Sequence, residues 1–329
     1  MREQLLEILS RFPGRTILVA GDLIADEFLY GRISRISREA PVLVLEYSNL
    51  VRVPGGAANA ANNLLDMGCS VGIAGFLGRD EPGDSLARAL RNKGADIRLL
   101  RRLKGYSTPI KTRILAGSHH SAQQQVVRVD RMDTPAAQFE ISWNELKERL
   151  RSIDGIIISD YGYAAVSAEL FDHLKNAAKK KNIPIVVDSR FHLSRFHGAS
   201  SITPNISELE SATGITIGDN AELLNMTGRR LLRRQRLDSL LVTQGRFGMT
   251  LFEPRKAPLH IPVYGTDEVA DVTGAGDTVI AAFTLALSCG ATPEHAARIA
   301  NYAGGIVVMK RGTATTTRDE LYKAITTDK

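Results

Sequence analysis

Short apolar runs alternate with amphipathic stretches through most of the chain. Runs at 16–20 and 155–159 predict buried strands, and the stretches between such runs predict helices with one apolar face. From residue 155 onward the alternation is regular, and it closes with helices from about residue 275, at 293–309 and at 317–326. Short strands joined by helices predict a mostly parallel sheet that is covered on both faces.

The same pattern predicts the other elements of the α/β fold. These are helices at 2–11, 57–67, 84–93, 167–181, 206–213 and 220–235, and strands at 71–75, 183–188, 201–203, 239–243 and 249–253. Two segments, 26–52 and 105–131, alternate apolar and polar residues instead, which predicts a small half-exposed sheet that projects from the core as a lid. The sequence contains no repeat or linker, so we expect residues 1–329 to form a single domain.

Composition is that of an ordinary globular protein, with 43% hydrophobic and 24% charged residues. The net charge of +6 suits anionic small ligands such as ATP or sugar phosphates, but a basic surface without a partner explains it equally well. Cys69 and Cys289 lack metal-site spacing, which favours two reduced core thiols. The amino terminus has no signal-peptide pattern and the apolar run 279–289 is short, so we expect a cytoplasmic protein.

The segment Asp271-Val-Thr-Gly-Ala-Gly-Asp-Thr278, which opens a predicted helix, carries the strongest chemical signal. The small residues Gly274, Ala275 and Gly276 allow close backbone approach, and free N–H groups at a helix start favour an anion. A carboxylate in such a place, Asp277, fits a base that accepts a hydroxyl proton beside a phosphate. The alternative is an acidic residue in the first turn of a capped helix.

Two further carboxylates, Asp22 and Asp26, follow the first predicted strand. Ligands of open α/β sheets bind at the carboxyl ends of strands, which makes both residues candidates for binding. Simple turn chemistry is the alternative.

Two motifs resemble those of the ribokinase (PfkB) family of carbohydrate kinases. The run 271–277 resembles the family's C-terminal signature, and Gly55-Gly-Ala-Ala-Asn59, continuing through Gly68 to the segment 75–80, resembles its N-terminal signature. The resemblance covers essentially the whole chain. It implies a ribokinase-like three-layer α/β/α core with a β lid, and an ATP-dependent carbohydrate kinase that uses Mg²⁺.

The resemblance also implies roles for particular residues. It makes Asp277 the catalytic base, Asp26 a sugar-hydroxyl acceptor, and Gly55, Gly56 and Asn59 the floor of the sugar pocket. Glu208 would position Mg²⁺ through water, although a capping box is the alternative. The residues expected at the nucleotide are Asn205, Glu208, Thr243, Gly245, Asn301 and Gly304; core packing equally explains the last two.

Asp271 and Thr273 match positions that hold a monovalent cation such as K⁺ in several family members, with a loop at Gly312 completing that site. Some relatives carry a second, nucleotidyltransferase domain with an H-x-G-H motif. This sequence lacks the motif, so we expect no such activity.

One branch of the family, which phosphorylates heptose 7-phosphate to heptose 1,7-bisphosphate for lipopolysaccharide precursors, matches especially well. The matching segments are 34–42, 54–59, 159–161, 203–208, 256–260 and 268–278. Two departures each remove a lysine: Gly162-Tyr163-Ala164 stands where the branch has x-Lys-Gly, and Asp188-Ser-Arg190 stands where it has Asp-Pro-Lys.

A sugar phosphate needs cations for its own phosphate. The candidates are Arg35, Arg38, Arg128 and Arg190, and for each a solvated surface arginine is the alternative. The arginine-rich segment 229–236 has helical spacing and predicts an exposed helix face rather than a nucleic-acid site. His119 and His120 lack further metal ligands nearby and are expected in a turn.

The alternatives within the fold are a kinase for another sugar, sugar phosphate or nucleoside, and a non-catalytic nucleotide- or sugar-binding regulator. Retention of Asp277 with Gly-Ala-Gly favours an enzyme, because a binder does not need the base. A Rossmann dehydrogenase is excluded, since no G-x-G-x-x-G follows the first strand. The lid sheet has edges and apolar residues that need cover, which favours a homodimer that shares lids.

Overall fold

A computed structural model describes residues 1–117, 123–132, 142–265 and 271–328. Its strands are β1 (Thr16–Gly21), β2 (Leu23–Ile36), β3 (Leu43–Gly56), β4 (Ser70–Gly78), β5 (Asp96–Leu103), β6 (Ile110–Gly117), β7 (Gln124–Arg131), β8 (Gly155–Asp160), β9 (Ile185–Ser189), β10 (Ser201–Ile202), β11 (Ser239–Thr243), β12 (Met249–Phe252) and β13 (Leu259–Ile261).

Ten α-helices lie in the same described ranges. They are α1 (Arg2–Ser10), α2 (Ala57–Asp66), α3 (Glu81–Asn92), α4 (Trp143–Leu150), α5 (Ala168–Lys181), α6 (Ile206–Thr213), α7 (Ala221–Gln235), α8 (Ala275–Ser288), α9 (Pro293–Val308) and α10 (Arg318–Thr327). The arginines of α7 and its end, at 229, 230, 233, 234 and 236, are exposed, as expected from their helical spacing.

The strands form two sheets. The core sheet has the order β13-β12-β11-β10-β9-β8-β1-β4-β5, parallel from β11 to β5 and antiparallel at β12 and β13. β1 pairs with β8 on one side and β4 on the other, so the connections diverge there. Crevices form at the carboxyl ends of strands where an open sheet changes direction in this way. The end of β1 is therefore the expected location of a site.

Alternate residues of β1 face two different apolar layers. Ile17 and Val19 join the core built on α1, α2, α3, α8, α9 and α10, whereas Leu18 and Ala20 join the core built on α4, α5, α6 and α7. Side chains of a strand alternate between faces, so a central strand covered on both sides is apolar throughout. This is the predicted three-layer α/β/α arrangement.

The second sheet has the order β3-β2-β6-β7 and includes strands of both segments that the pattern set apart. β2 begins two residues after β1, and β3 returns to the core at Gly56, where α2 starts. The hairpin of β2 and β3 therefore connects the lid directly to the end of β1. Paired positions lie on the same face, so the register groups Asp26, Val53, Lys111 and Asp130 in one row.

The described elements match most predicted ones to within a few residues, and three were missed: β5, β13 and α4. β5 carries three arginines, Arg98, Arg101 and Arg102. It is an edge strand of the core sheet, so it has only one neighbouring strand. His119, His120 and Glu268 lie outside the described residues.

Both cysteines are buried free thiols, as the sequence indicated. In the described part of the chain, every helix is too short or too polar to cross a bilayer.

Candidate active site

Helices α2 and α8 bring the two signature motifs together. Asn59, in the first turn of α2, donates its amide to Asp277 Oδ2 at 2.9 Å and lies 3.4 Å from the Gly274 carbonyl. Asn63, one turn later, accepts from the Thr278 hydroxyl at 2.9 Å. All of these side chains are buried, so the polar contacts are made in a region without bulk water.

Asp277 is only 4% exposed, and both its oxygens have donors. Tyr161 Oη donates to Oδ1 at 2.9 Å, and Asn59 donates to Oδ2. Burial raises the pKa of Asp277 to about 6, and the hydrogen bonds from Asn59 and Tyr161 limit that rise. A carboxylate with this pKa is ionised at neutral pH and basic enough to take a proton.

The turn before Asp277 fits a ligand closely. Gly274 has φ of 78°, and a Cβ there would lie 2.5 Å from Asn59 Nδ2, so only glycine is accommodated. The Ala275 N–H donates to the Val272 carbonyl, and the first intrahelical bond of α8 runs from Thr278 N to the Gly274 carbonyl. The amides of Gly276 and Asp277 lie between these bonds, where helices leave donors free for an anion.

Asp22 organises the loop after β8. Its carboxylate accepts backbone N–H groups from Tyr161, Tyr163 and Ala165 at 2.7, 3.1 and 3.0 Å. Burial raises its pKa to about 6 despite these bonds. Of the two possibilities open from the sequence, turn chemistry therefore describes Asp22, and its effect is to hold Tyr161 against Asp277.

Asp26 lies at the base of the lid, facing the core. Arg113 Nη1 donates to its Oδ1 at 2.8 Å, and Thr313 Oγ1 donates to its Oδ2 at 3.1 Å. A Cβ on Gly55 would lie 2.6 Å from Asp26 Oδ2, so glycine at this position lets β3 pass close to the carboxylate. The end of β3 thus lies directly against the Asp26 carboxylate at the base of the lid.

Asp271 connects the loop before α8 to the loop at Gly312. Its Oδ1 accepts the Thr273 N–H at 2.9 Å and its Oδ2 accepts the Gly312 N–H at 3.1 Å. The three residues proposed for the monovalent cation are therefore neighbours. Thr313 contacts Asp26 and the adjacent Gly312 contacts Asp271, so hydrogen bonds connect the lid to the loop before α8.

Three of the expected nucleotide residues line one open cavity of about 660 Å³. Asn205, Thr243 and Gly245 are among its lining residues, together with the starts of α6 and α7. Asn301 and Gly304 lie instead on α9, where Asn301 Nδ2 donates to the Pro262 carbonyl at 2.8 Å. Gly304 packs beside Val279: a Cβ added at Gly304 would lie 3.1 Å from Val279 Cγ2.

Glu208 forms the capping box that the sequence indicated: its Oε2 accepts the Asn205 N–H and Asn205 Oδ1 accepts the Glu208 N–H, each at 2.9 Å. Burial and repulsion from Glu208 raise the pKa of Asp188 well above its usual range, and burial raises that of Glu208. Two carboxylates that repel each other could be neutralised by a divalent cation. No cluster of three metal-ligating side chains occurs in the described ranges.

The four candidate arginines lie in different surroundings. Arg128 forms a two-point ion pair with Asp130, at 2.8 Å for each contact. Arg190 is exposed, and its positive charge is close enough to Glu208 and Tyr163 to limit the rise in their pKa values. Arg35 and Arg38 lie toward the tip of the β2–β3 hairpin; Arg35 is nine residues beyond Asp26, or about 30 Å along the strand.

The fold adds four residues that sequence reasoning did not assign to the site: Tyr161, Asp188, Lys111 and Arg113. Tyr161 belongs to the matching segment 159–161, and Asp188 to the departure Asp188-Ser-Arg190. Their positions at the ends of β8 and β9, where ligands bind to open α/β sheets, could have identified both as site residues. Lys111 and Arg113 lie in an alternating lid strand and gave no signal, because such a pattern does not say which face the core will cover.

Solved structures with the same architecture define the fold. Arabidopsis thaliana ribokinase complexed with ribose and ATP has a TM-score of 0.76 at 20% identity, with 95% of this chain and 99% of that one covered. Escherichia coli phosphofructokinase-2 in complex with potassium has a TM-score of 0.72 at 19% identity, covering 95% and 98%. The fold is ribokinase-like.

The pfkB family carbohydrate kinase model matches residues 17–320. The chain therefore belongs to the pfkB family, and its enzyme class is that of the ATP-dependent carbohydrate kinases. Bifunctional protein HldE of Trichlorobacter lovleyi is 38% identical over 330 residues, covering 98% of this chain and 65% of the relative. HldE of Geobacter metallireducens is 41% identical over 308 residues, covering 92% and 61%. The chain thus spans less than two thirds of these relatives.

Tyr161→Phe tests how the Asp277 carboxylate is held ionised. Loss of the hydroxyl donor should raise the pKa of Asp277 further above 6. Because a base must be ionised, the acid limb of the kcat/KM profile should move to higher pH by about one unit, with a small loss at pH 8 and a loss of about fivefold at pH 6. Tyr163→Phe, whose hydroxyl contacts Met132, is the control. An unmoved acid limb would show that Tyr161 does not tune the base.

Proposed function

We propose that this chain transfers the γ-phosphoryl group of ATP to O1 of D-glycero-β-D-manno-heptose 7-phosphate, giving heptose 1,7-bisphosphate for lipopolysaccharide precursors. The observation that carries the kinase chemistry is the buried Asp277 carboxylate at the start of α8, beside free helix amides. The heptose phosphate rests on the branch-specific segments and on the similarity to HldE proteins.

Asp277 accepts the proton of the sugar hydroxyl as the hydroxyl oxygen bonds to phosphorus and the bond to ADP breaks. The amides of Gly276 and Asp277, which follow the tight turn at Gly274, donate to the phosphoryl oxygens as charge develops there. Asn59 and Tyr161 keep the carboxylate ionised and fix its direction. The proton stays on Asp277 during the transfer and passes to solvent when the products leave.

Asp26, Gly55, Gly56 and Asn59 form the sugar floor in this proposal. Asn205, Glu208, Thr243 and Gly245 face the nucleotide, with Asn301 and Gly304 supporting that side from α9. Glu208 and Asp188 would hold Mg²⁺, which supplies positive charge to the phosphates when bound. Asp271, Thr273 and the Gly312 loop are the proposed monovalent-cation site, and K⁺ is the ion named in the phosphofructokinase-2 complex.

A panel of acceptors tests the substrate. ADP release is measured with heptose 7-phosphate, fructose 6-phosphate, ribose, fructose and adenosine. The two lysines missing after Tyr161 and Asp188 favour a second candidate, a kinase for an unphosphorylated sugar. The highest kcat/KM with heptose 7-phosphate supports the proposal, and the highest with ribose, fructose or adenosine contradicts it. No turnover with any acceptor, despite ATP binding, favours the non-catalytic regulator.

Asp277→Asn tests the base. We expect ATP affinity, measured by calorimetry, to be retained while kcat falls by roughly 10²–10⁴, the usual contribution of a positioned general base. The side-chain volume is preserved, so a loss of this size reports proton transfer. Near-normal turnover would contradict the mechanism.

Asp26→Ala tests the sugar floor. Removing the carboxylate leaves Arg113 and the sugar hydroxyls without their acceptor, so the KM for the sugar should rise at least tenfold while the KM for ATP changes little. Steady-state kinetics with each substrate varied in turn gives both constants. Equal increases in the two would mean that Asp26 supports the structure as a whole.

A homodimer formed through the lid completes the proposal. Apolar side chains of β2, β3 and β7 are exposed, including Ile33, Tyr47 and Val127, and β3 and β7 are the edges of the lid sheet. A second copy with the same lid is the occupant that can cover equivalent residues symmetrically.

Sedimentation velocity tests that dimer. We expect the wild-type protein to sediment as a dimer and Tyr47→Asp to shift it toward monomer, because a charge would be buried in an apolar contact. Tyr322→Asp, on an exposed aromatic of α10 outside the lid, should leave the dimer intact. A monomeric wild-type protein at micromolar concentration would contradict the lid dimer.

A further inference from the structure

Lys111 is a buried cation at the centre of the candidate active site. It belongs to lid strand β6, in the cross-strand row that also contains Asp26 and Asp130, and only 7% of its surface is exposed. Its ammonium lies 4.4 Å from the centre of the Tyr161 ring, the residue whose hydroxyl binds Asp277. The lid therefore carries a positive charge to the base.

Nearby carboxylates already have other partners. Asp26 is bound by Arg113 and Thr313, and Asp277 is bound by Asn59 and Tyr161. Among the described residues, the Lys111 ammonium forms no ion pair or hydrogen bond; it lies over the Tyr161 ring. Burial without a direct anionic partner is unfavourable for an ammonium group.

The charges around Lys111 favour an anion. Burial lowers its pKa and Arg190 lowers it further, while Asp26, Asp277 and Asp130 raise it from a greater distance than an ion pair. Lys111 and Arg190 are therefore cations close enough to repel each other. A neutral hydroxyl would leave both charges in place, whereas a phosphate dianion would compensate them.

We propose that Lys111 binds the phosphate that the sugar substrate already carries, with Arg190 as its partner on the core side. This proposal rests on the proposed sugar-phosphate substrate and adds a residue that determines specificity. The two lysines absent after Tyr161 and Asp188 leave the pocket short of cations on the core side. Lys111 supplies one from the lid, beside Tyr161.

Lys111→Met tests this assignment, because methionine keeps most of the volume and removes the charge. Calorimetry without ATP measures binding of heptose 7-phosphate and of the dephosphorylated heptose. We expect Lys111→Met to weaken the phosphorylated sugar roughly 10- to 100-fold and the dephosphorylated sugar less than about threefold. Lys104→Met, on an exposed lysine in the turn before β6, should change neither.

The melting temperature without ligand separates binding from folding. Lys111→Met should melt at or above the wild-type temperature, because it removes a buried charge that lacks a direct partner. A lower melting temperature with equal losses for both sugars would overturn the proposal and make Lys111 structural. Unchanged affinities, or equal losses without destabilisation, would overturn it as well.

The wild-type protein distinguishes failure of this inference from failure of the proposed substrate. If wild type prefers the phosphorylated sugar and Lys111→Met keeps the preference, the Lys111 assignment is wrong and the sugar-phosphate function stands. If wild type shows no preference for the phosphorylated sugar, both are wrong. Loss of the preference in Lys111→Met alone supports both.

Discussion

The hydrogen bond between Asn59 and Asp277 is the contact on which the site depends. It joins residues 218 positions apart and fixes helix α2 against the start of α8. Asn63 and Thr278 extend the contact by one turn on each helix, so the two starts cannot shift independently. Since β3 leads directly into α2, the same contact also sets where the lid leaves the core. Asp277, the start of α2 and the lid are thus positioned by one buried polar network.

Burial and hydrogen bonding act in opposite directions on that network. Burial raises the pKa of Asp277, and the donors Asn59 and Tyr161 limit that rise to about 6. Asp22 holds the Tyr161 loop through three backbone N–H groups, so it acts on the ionisation of Asp277 through Tyr161. The chemistry of the site depends on this indirect support as much as on the residues that face the ligand.

Much of the fold could be predicted from the sequence, because apolar periodicity and small-residue motifs are local properties. The starts of α2 and α8 were predicted from runs of small residues, and Asp277 from a carboxylate within an anion-binding turn. The alternation in β6 identified a strand but could not show that Lys111 faces the core, since that depends on how the lid closes. β5 was missed because three arginines interrupt its apolar pattern, which a strand with one free side tolerates.

The bond from Thr313 to Asp26 gives the lid a second attachment, far from its origin at β1. Through Gly312 and Asp271, this attachment continues to the turn that precedes α8. In the proposed function a sugar hydroxyl that binds Asp26 would share that carboxylate with Thr313, so sugar binding would act on the loop at Asp271. Coupling between binding sites is reciprocal. If a cation bound at the Asp271 loop raises the affinity for the sugar by some factor, the bound sugar raises the affinity for the cation by the same factor. A single threonine hydroxyl would thereby link the two binding equilibria of the proposed function.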